Sequence, residues 1–258
     1  MRIFAFLIFL LSISFAAYAE DRELDSLFTA NGIDGSMVIS SLKTGKLYIG
    51  NEKRAARKVS PASTFKIFNT LIALRERAVS ENDNLLQWDG HKYDFPDWNR
   101  DQTLESAFRV SCVWYYQELA RRIGAEKYRR YLKDAGYGEL REPFDAASFW
   151  LDGSLLISPF GQVEFLKNVY ERNLPFSRED YDKLAKIMVS ESGPGYTIRA
   201  KTGWTGRTEP QIGWFVGYVE TMKDVWFFAL EIDIRSENNL PLRRALAIEA
   251  LKLKGIVR

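Results

Sequence analysis

Ser60-Pro61-Ala62-Ser63-Thr64-Phe65-Lys66-Ile67-Phe68 is the stretch on which the reading of the chain turns. Proline is tolerated in the first turn of a helix and a serine ahead of it can cap the free N–H groups, so a helix is predicted to start here with Ser60 as its cap. Ile67, Phe68, Leu71, Ile72 and Leu74 continue at helical spacing. Ser63 and Lys66, three residues apart, then lie on one helix face and can touch. A hydroxyl and an amine so placed suit a nucleophile and its base. The first N–H groups of a helix have no intrahelical acceptor and sit at its electropositive end, where they can stabilise an oxyanion.

Spelling alone does not single out this Ser-x-x-Lys. Ser40-Ser41-Leu42-Lys43 repeats it, Ser36-Met37-Val38 is a second Ser-x-Val, and Lys43-Thr44-Gly45 is a second Lys-Thr-Gly. All of these copies fall between Gly35 and Ile49, where alternating Met37, Ile39 and Ser41, a Thr44-Gly45 turn and Leu47-Tyr48-Ile49 read as a β-hairpin. Order along the chain and structural context must separate site from copy.

Outward to the N-terminus, residues 1–19 hold one charge, Arg2, then the apolar run Ile3 to Leu11 and the small-residue pattern Ala17-Tyr18-Ala19. They read as a secretory signal peptide cut after Ala19, which makes the protein an exported, periplasmic one with no membrane segment once the signal is removed. The 36 Lys and Arg against 34 Asp and Glu leave no charge imbalance pointing to nucleic acid or a membrane surface. Residues 20–258 are long enough to bury a large core without disulfide or metal. One cysteine, Cys112, cannot form an internal bridge, and one histidine, His91, leaves too few soft ligands for a zinc site. His91 lies in the polar stretch Trp88-Asp89-Gly90-His91-Lys92, which argues against a Ser-His-Asp triad.

Neither repeats nor a low-complexity linker divide the chain, so residues 20–258 are read as one catalytic domain. A short helix carrying Leu24, Leu27 and Phe28 precedes the hairpin. From about 60 to 189 the pattern is mainly helical: the Ser63 helix, a segment from Thr103, one through Trp114 to Arg122, one from Ala125 to Leu132, one opening at Ser158-Pro159 and one at Ser177 with Asp180 completing a capping box. Tyr196 to Thr202, Ile212 to Val219 and Val225 to Ile232 are rich in β-branched and aromatic residues, and Leu240 to Leu253 is amphipathic at helical period. The fold class expected is α+β, sandwich-like: an antiparallel sheet built from both termini with flanking helices, and an inserted, mainly helical lobe. The site is expected where the lobes meet.

Ser111-Cys112-Val113 falls between two helical stretches, and Lys201-Thr202-Gly203 ends a predicted strand. The ordered set Ser-x-x-Lys, Ser-x-Val, Trp150-Leu151-Asp152-Gly153 and Lys-Thr-Gly resembles the penicillin-recognising serine enzymes, and among them the class D serine β-lactamases, over essentially all of residues 20–258. That resemblance implies hydrolysis of the β-lactam ring of penicillin-type antibiotics through an acyl-enzyme on Ser63, and resistance to them. It implies that Ser111 passes a proton to the leaving nitrogen with help from Lys201, that the N–H groups of Ser63 and Trp204 form the oxyanion hole, and that Thr202 and Arg243 bind the substrate carboxylate beside Gly203.

An ordinary lysine is protonated at neutral pH, so Lys66 needs burial and a nearby cation such as Lys201 to become a neutral base. The resemblance implies a further step, carboxylation of the Lys66 amine by CO2, with no other cofactor and no metal. Phe65, Val113, Trp150 and Leu151 match the family's apolar lining, and the resemblance implies that the Trp150 indole N–H holds the carbamate. Trp98 resembles a residue at the cleft rim. The family's Tyr-Gly-Asn stands here as Tyr137-Gly138-Glu139, a departure that places a charge at its third position. Cys112 is read as a small buried hydrophobe, and Lys53-Arg54, Arg121-Arg122 and Arg129-Arg130 as solvated faces. Two other functions stand beside β-lactam hydrolysis: a β-lactam sensor domain, which uses the same motifs but is acylated without turnover, and a penicillin-binding transpeptidase or carboxypeptidase, in which Ser-x-Val and Trp-Leu-Asp-Gly would be unexpected. Monomer and homodimer are both compatible with the sequence.

Overall fold

The strands at the two ends of the chain meet in a single sheet. A computed structural model describes residues 20–79, 84–206 and 209–258, and the signal peptide read over residues 1–19 lies outside them. In order the elements are α1 (Arg22–Ala30), β1 (Gly35–Ser41), β2 (Leu47–Gly50), α2 (Glu52–Ala55), a 3-10 turn (Ala62–Phe65) running into α3 (Lys66–Arg75), α4 (Leu104–Arg109), α5 (Val113–Ile123) and α6 (Ala125–Asp134). Then follow β3 (Glu139–Leu140), β4 (Leu155–Leu156), α7 (Pro159–Tyr170), α8 (Arg178–Ile187), β5 (Val189–Gly193), β6 (Tyr196–Trp204), β7 (Gln211–Thr221), β8 (Val225–Ile234) and α9 (Leu242–Leu253). Among the described residues, six strands form the sheet in the order β2-β1-β8-β7-β6-β5, every neighbouring pair antiparallel.

Alternation along the strands divides the apolar residues between two cores. In β7, Ile212, Trp214, Val216 and Tyr218 face one way and Phe215 and Val219 the other. The second face is covered by α1 and α9 through Leu24, Phe28, Leu246 and Leu251, and the first by α7, which packs on β8, β1 and β7, and by the helical lobe beyond it. The α+β architecture, with its helical insertion between the terminal strands, is the one expected from the sequence.

Helix α3 lies at the centre of the larger core. Its residues from Lys66 to Ala73 are buried without a break, so it is covered on every side rather than on one stripe. Lys66 belongs to that buried run, so the interior takes in an amine.

Ser60 does not cap this helix. Pro61 occupies the cap position with no side-chain bond, the first turn is 3-10, and the Ser60 hydroxyl instead donates to the Trp150 carbonyl at 2.9 Å. The helix starts expected at Ser158-Pro159 and at the Ser177–Asp180 capping box are present on α7 and α8, and Thr103, read only as the start of a segment, caps α4. The edge strand β5 is the main element that the sequence pattern hides. Val189 opens it rather than ending a helix, and Ser, Glu and Gly fill it because only one of its sides is paired.

Candidate active site

Three elements bring the motifs together. The 3-10 turn presents Ser63, whose Oγ is 2.8 Å from Lys66 Nζ one turn on. The α4–α5 connection presents Ser111, and the end of β6 presents Lys201, whose ammonium donates to Ser111 Oγ and also reaches the Thr202 carbonyl at 3.2 Å. Gly203 closes the gap between β6 and the Ser63 turn. A Cβ there would sit 3.0 Å from the Pro61 carbonyl oxygen and 3.1 Å from Thr64 Cγ2, so a larger residue would push the strand off the nucleophile.

Ser111 holds a left-handed backbone, φ 56°, which a non-glycine residue adopts at a cost of roughly 1–3 kcal/mol and which recurs at functional sites. Its neighbours on both sides are pinned: Cys112 N–H donates to Ala107 O at 2.8 Å, and the preceding Val110 carbonyl accepts the Trp98 indole N–H at 2.9 Å. Trp98 is half-buried, packs on Phe95 with ring centroids 4.6 Å apart, and takes the Trp114 indole N–H on its own carbonyl. It therefore flanks the Ser111 loop and packs at the same time.

The site holds two buried lysine amines whose charged forms burial disfavours. Lys66 is 0 % exposed and Lys201 4 %. Burial pulls the Lys66 amine down to about 7. The sequence expectation gives part of this to Lys201, but burial is the cause that lowers Lys66. Repulsion registers on Lys201, which burial first, then Lys66 and then Arg243 hold well below an ordinary lysine. Lys66 Nζ lies 5.1 Å from the centroid of the Tyr116 ring and Lys201 Nζ 5.5 Å from that of Phe108, so the two walls that exclude water are also weak cation partners.

Trp150 is 0 % exposed, stacks on Phe65 at 5.8 Å, and its indole N–H has no acceptor among the described residues. Such a buried donor is costly unless an acceptor arrives. Leu151 is buried in the same core and Val113, half-buried, opens α5 next to Ser111. The pairing of Trp204 with Gly213 falls in the non-hydrogen-bonded register, because Ala200 N–H points to the β5 side and Thr205 N–H to β7. The Trp204 N–H accordingly faces away from β7, on the edge of β6 that β5 leaves uncovered. Arg243 on α9 reaches the same strand end, donating to Gly203 O and Leu240 O, both at 2.7 Å, and burial lowers its guanidinium to about 10.

The copies of the motifs lie elsewhere. Lys43, Thr44 and Gly45 are exposed in the β1–β2 turn, Ser41 bonds Asp224, and Ser36 is buried beside Glu231. His91 is exposed, whereas Cys112 is fully buried with its thiol pushed up to about 11. Glu139 sits on β3 and pairs with Lys58 at 3.2 Å on the surface. The structure adds residues that sequence reasoning missed. Tyr116 and Phe108 wall the two lysines; Trp214 donates to the Ser60 carbonyl at 2.8 Å. Gln162 lies under the nucleophile turn, and a signal for it existed: a glutamine among Pro159, Val163, Leu166 and Val169, on the buried face of α7.

The penicillin-binding protein transpeptidase domain family matches residues 35–251. Beta-lactamase OXA-48 of Klebsiella pneumoniae is 38% identical over 93% of this chain and 91% of its own length. A solved class D β-lactamase from Nostoc is 42% identical, with a TM-score of 0.88 over 91% of this chain and 99% of that one. The chain belongs to the class D β-lactamases. The same fold is also found in a receptor domain. The C-terminal domain of the Bacillus licheniformis BlaR penicillin-receptor is 34% identical to this class D chain, with a TM-score of 0.86 over 91% of it and 96% of the receptor domain.

Proposed function

We propose that this class D chain hydrolyses the β-lactam ring of penicillin-type antibiotics through an acyl-enzyme on Ser63 and so confers resistance to them. The observation that carries the reading is the buried pair of Ser63 and Lys66, 2.8 Å apart, with the Lys66 amine near neutrality. Ser63 Oγ attacks the ring carbonyl and its proton has Lys66 within reach. The oxyanion forms where the first-turn N–H of Ser63 and the outward N–H of Trp204 supply donors. Ser111, held by Lys201, is the group that delivers a proton to the ring nitrogen as the amide bond breaks. Arg243 and Thr202 take the substrate carboxylate, for which a guanidinium offers two parallel donors.

Lys66 and Trp150 fit a carbamate: a buried amine that is readily neutral, and a buried N–H with no acceptor of its own among the described residues. Carboxylation would supply a general base suited to both halves of the reaction, with Trp150 holding it. The leader over residues 1–19 supports export to the periplasm, and among the described residues no helix is long and apolar enough to cross a membrane. Monomer and homodimer remain equivalent for this chemistry, since every site residue named comes from one chain.

A second reading is favoured by the likeness to the BlaR receptor domain: a sensor that is acylated and stays so. Mixing the mature protein with a chromogenic cephalosporin separates the two. Many turnovers per enzyme are expected, with intact mass showing one transient adduct that Ser63→Ala abolishes. A single stoichiometric burst with a lasting adduct would make the chain a sensor, and an adduct on Ser40 would move the nucleophile.

A further inference from the structure

The residue immediately before the nucleophile is strained. Ala62 has φ 47°, left-handed backbone that an alanine holds only where its surroundings impose it. Both flanks of Ser63 are tied to one another by Thr64, whose N–H and hydroxyl both donate to the Pro61 carbonyl, at 3.1 and 2.7 Å. A threonine hydroxyl can rotate away from such a local bond unless its oxygen is also engaged. Here it is engaged by Gln162, whose Nε2 donates to Thr64 Oγ1 at 2.8 Å from α7, across 98 residues of sequence.

Gln162 is 1 % exposed and Thr64 also 1 %, so both are out of reach of competing water. The Tyr137 hydroxyl is buried against both Thr64 and Gln162 without a hydrogen bond of ordinary geometry to either, so the Gln162 amide is the donor that Thr64 Oγ1 receives. Gln162 is itself anchored: α7 is capped by Ser158 and packed on three strands of the sheet. The line Gln162–Thr64–Pro61 thus runs from the sheet-bound helix to the carbonyl just ahead of Ser63.

We propose that Gln162 is a positioning residue for acylation: acting through Thr64, it holds the turn that aims the Ser63 hydroxyl and N–H. The proposal rests on Ser63 being the acylated nucleophile. A shift of about 1 Å in a nucleophile can cost on the order of 100-fold in rate, so Gln162→Met, which keeps the volume and removes the donor, should lower kcat/KM by roughly 10- to 100-fold. The substrate dissociation constant, read from the saturation of the acylation rate, should stay within a factor of about two, because no substrate contact is touched. Thr64→Val breaks the same bond from the other side and should produce the same loss, and Thr64→Ser should restore most of it.

The test is a double-mutant cycle on kcat/KM with a chromogenic cephalosporin, with acylation rates from quenched intact-mass samples and melting curves for each variant. If Gln162 works through Thr64, the Gln162→Met, Thr64→Val enzyme is no slower than the slower single variant. Losses that multiply in the double variant, a Gln162→Met enzyme acylated as fast as wild type, or a Thr64→Ser enzyme as slow as Thr64→Val would overturn the proposal. Should Gln162→Met fail to fold, Gln162→Leu, which also removes the donor, takes its place in the cycle with Thr64→Val. Wild-type protein that shows no adduct on Ser63 would instead defeat the functional reading itself, and the mass measurement tells the two failures apart.

Discussion

Lys66 concentrates the residue-scale argument, because a fully buried amine with no acidic partner among the described residues is held by packing that disfavours its charge. Its amine is neutral above about 7, so the base it provides should be lost as pH falls through that value. The turnover profile should therefore show an acidic limb near 7, and added bicarbonate should raise activity above the limb more than below it; a limb that follows an ordinary carboxylic acid would exclude Lys66 as its source. The same shift has a sign for stability. The native amine titrates near 7 and the unfolded one near 10.5, so burial penalises the fold fully below about 7 and progressively less as pH rises toward 10.5. Lys66→Met should accordingly raise the melting temperature, by more at pH 6 than at pH 9, while abolishing turnover. Thermal melts at the two pH values check this, and a larger gain at pH 9 would refute it.

Elements place such residues, and the short β3–β4 ladder shows how. Gly138 enters β3 with φ 66°, and a Cβ on it would lie 2.2 Å from the Leu156 carbonyl oxygen of β4. These two strands bracket residues 141–154, which carry Trp150 and Leu151. Gly138→Ala should thus cost at least about 2 kcal/mol, from a strained backbone plus a clash, and should weaken activity at limiting bicarbonate more than at saturating bicarbonate as Trp150 moves. Denaturant midpoints and bicarbonate titrations test both halves. The ladder is invisible in the sequence, since two-residue strands carry no periodicity. Strand β5 is hidden for another reason: a polar, one-sided edge such as Val189-Ser190-Glu191-Ser192 reads as loop. Strands β6, β7 and β8 are legible as runs of β-branched and aromatic residues, which in β7 and β8 are buried on both faces, and helix α9 is legible from apolar residues at helical period. Ser63, Lys66, Ser111 and Lys201 are legible from motif order, since three unlike contexts have to converge. Tyr116 and Trp214 are not, because their partners lie far along the chain and only folding brings them near, and Gln162 shows only as a polar residue on an apolar helix face, its partner Thr64 lying 98 residues away.

Across the whole molecule, one buried charge cluster joins the sheet to the segment that leads to the nucleophile. Arg54 on α2 lies between Glu231 and Asp233 on β8: its Nε and one terminal nitrogen reach Glu231 at 2.6 and 2.7 Å, and that nitrogen also reaches Asp233 at 2.6 Å. The sequence reading of Lys53-Arg54 as a solvated face fails for Arg54, whose side chain is 11 % exposed against Glu231 at 1 %. Ser36 of β1 adds a weak donor to Glu231 at 3.4 Å, and Arg57 approaches it at 3.7 Å from the surface. From α2 the chain runs within a few residues to Ser60, which Trp214 holds at 2.8 Å from the strand beside β8. The cluster is thus the first of two ties that seat the Ser63 turn on the sheet. Desolvating these charges consumes most of what their attraction returns, so the pair need not add net stability; breaking it from one side is another matter, because the survivor is left buried and uncompensated. Arg54→Met should destabilise the protein by about 3–5 kcal/mol, whereas Arg54→Met combined with Glu231→Leu should recover most of that loss, Asp233 being better solvated at 18 % exposure. Urea midpoints for the two variants decide the matter. A double variant as unstable as the single one would mean that the cluster sets the geometry of α2 and β8 and is not merely a balanced pair, and the acylation rate of Ser63 should then fall with it.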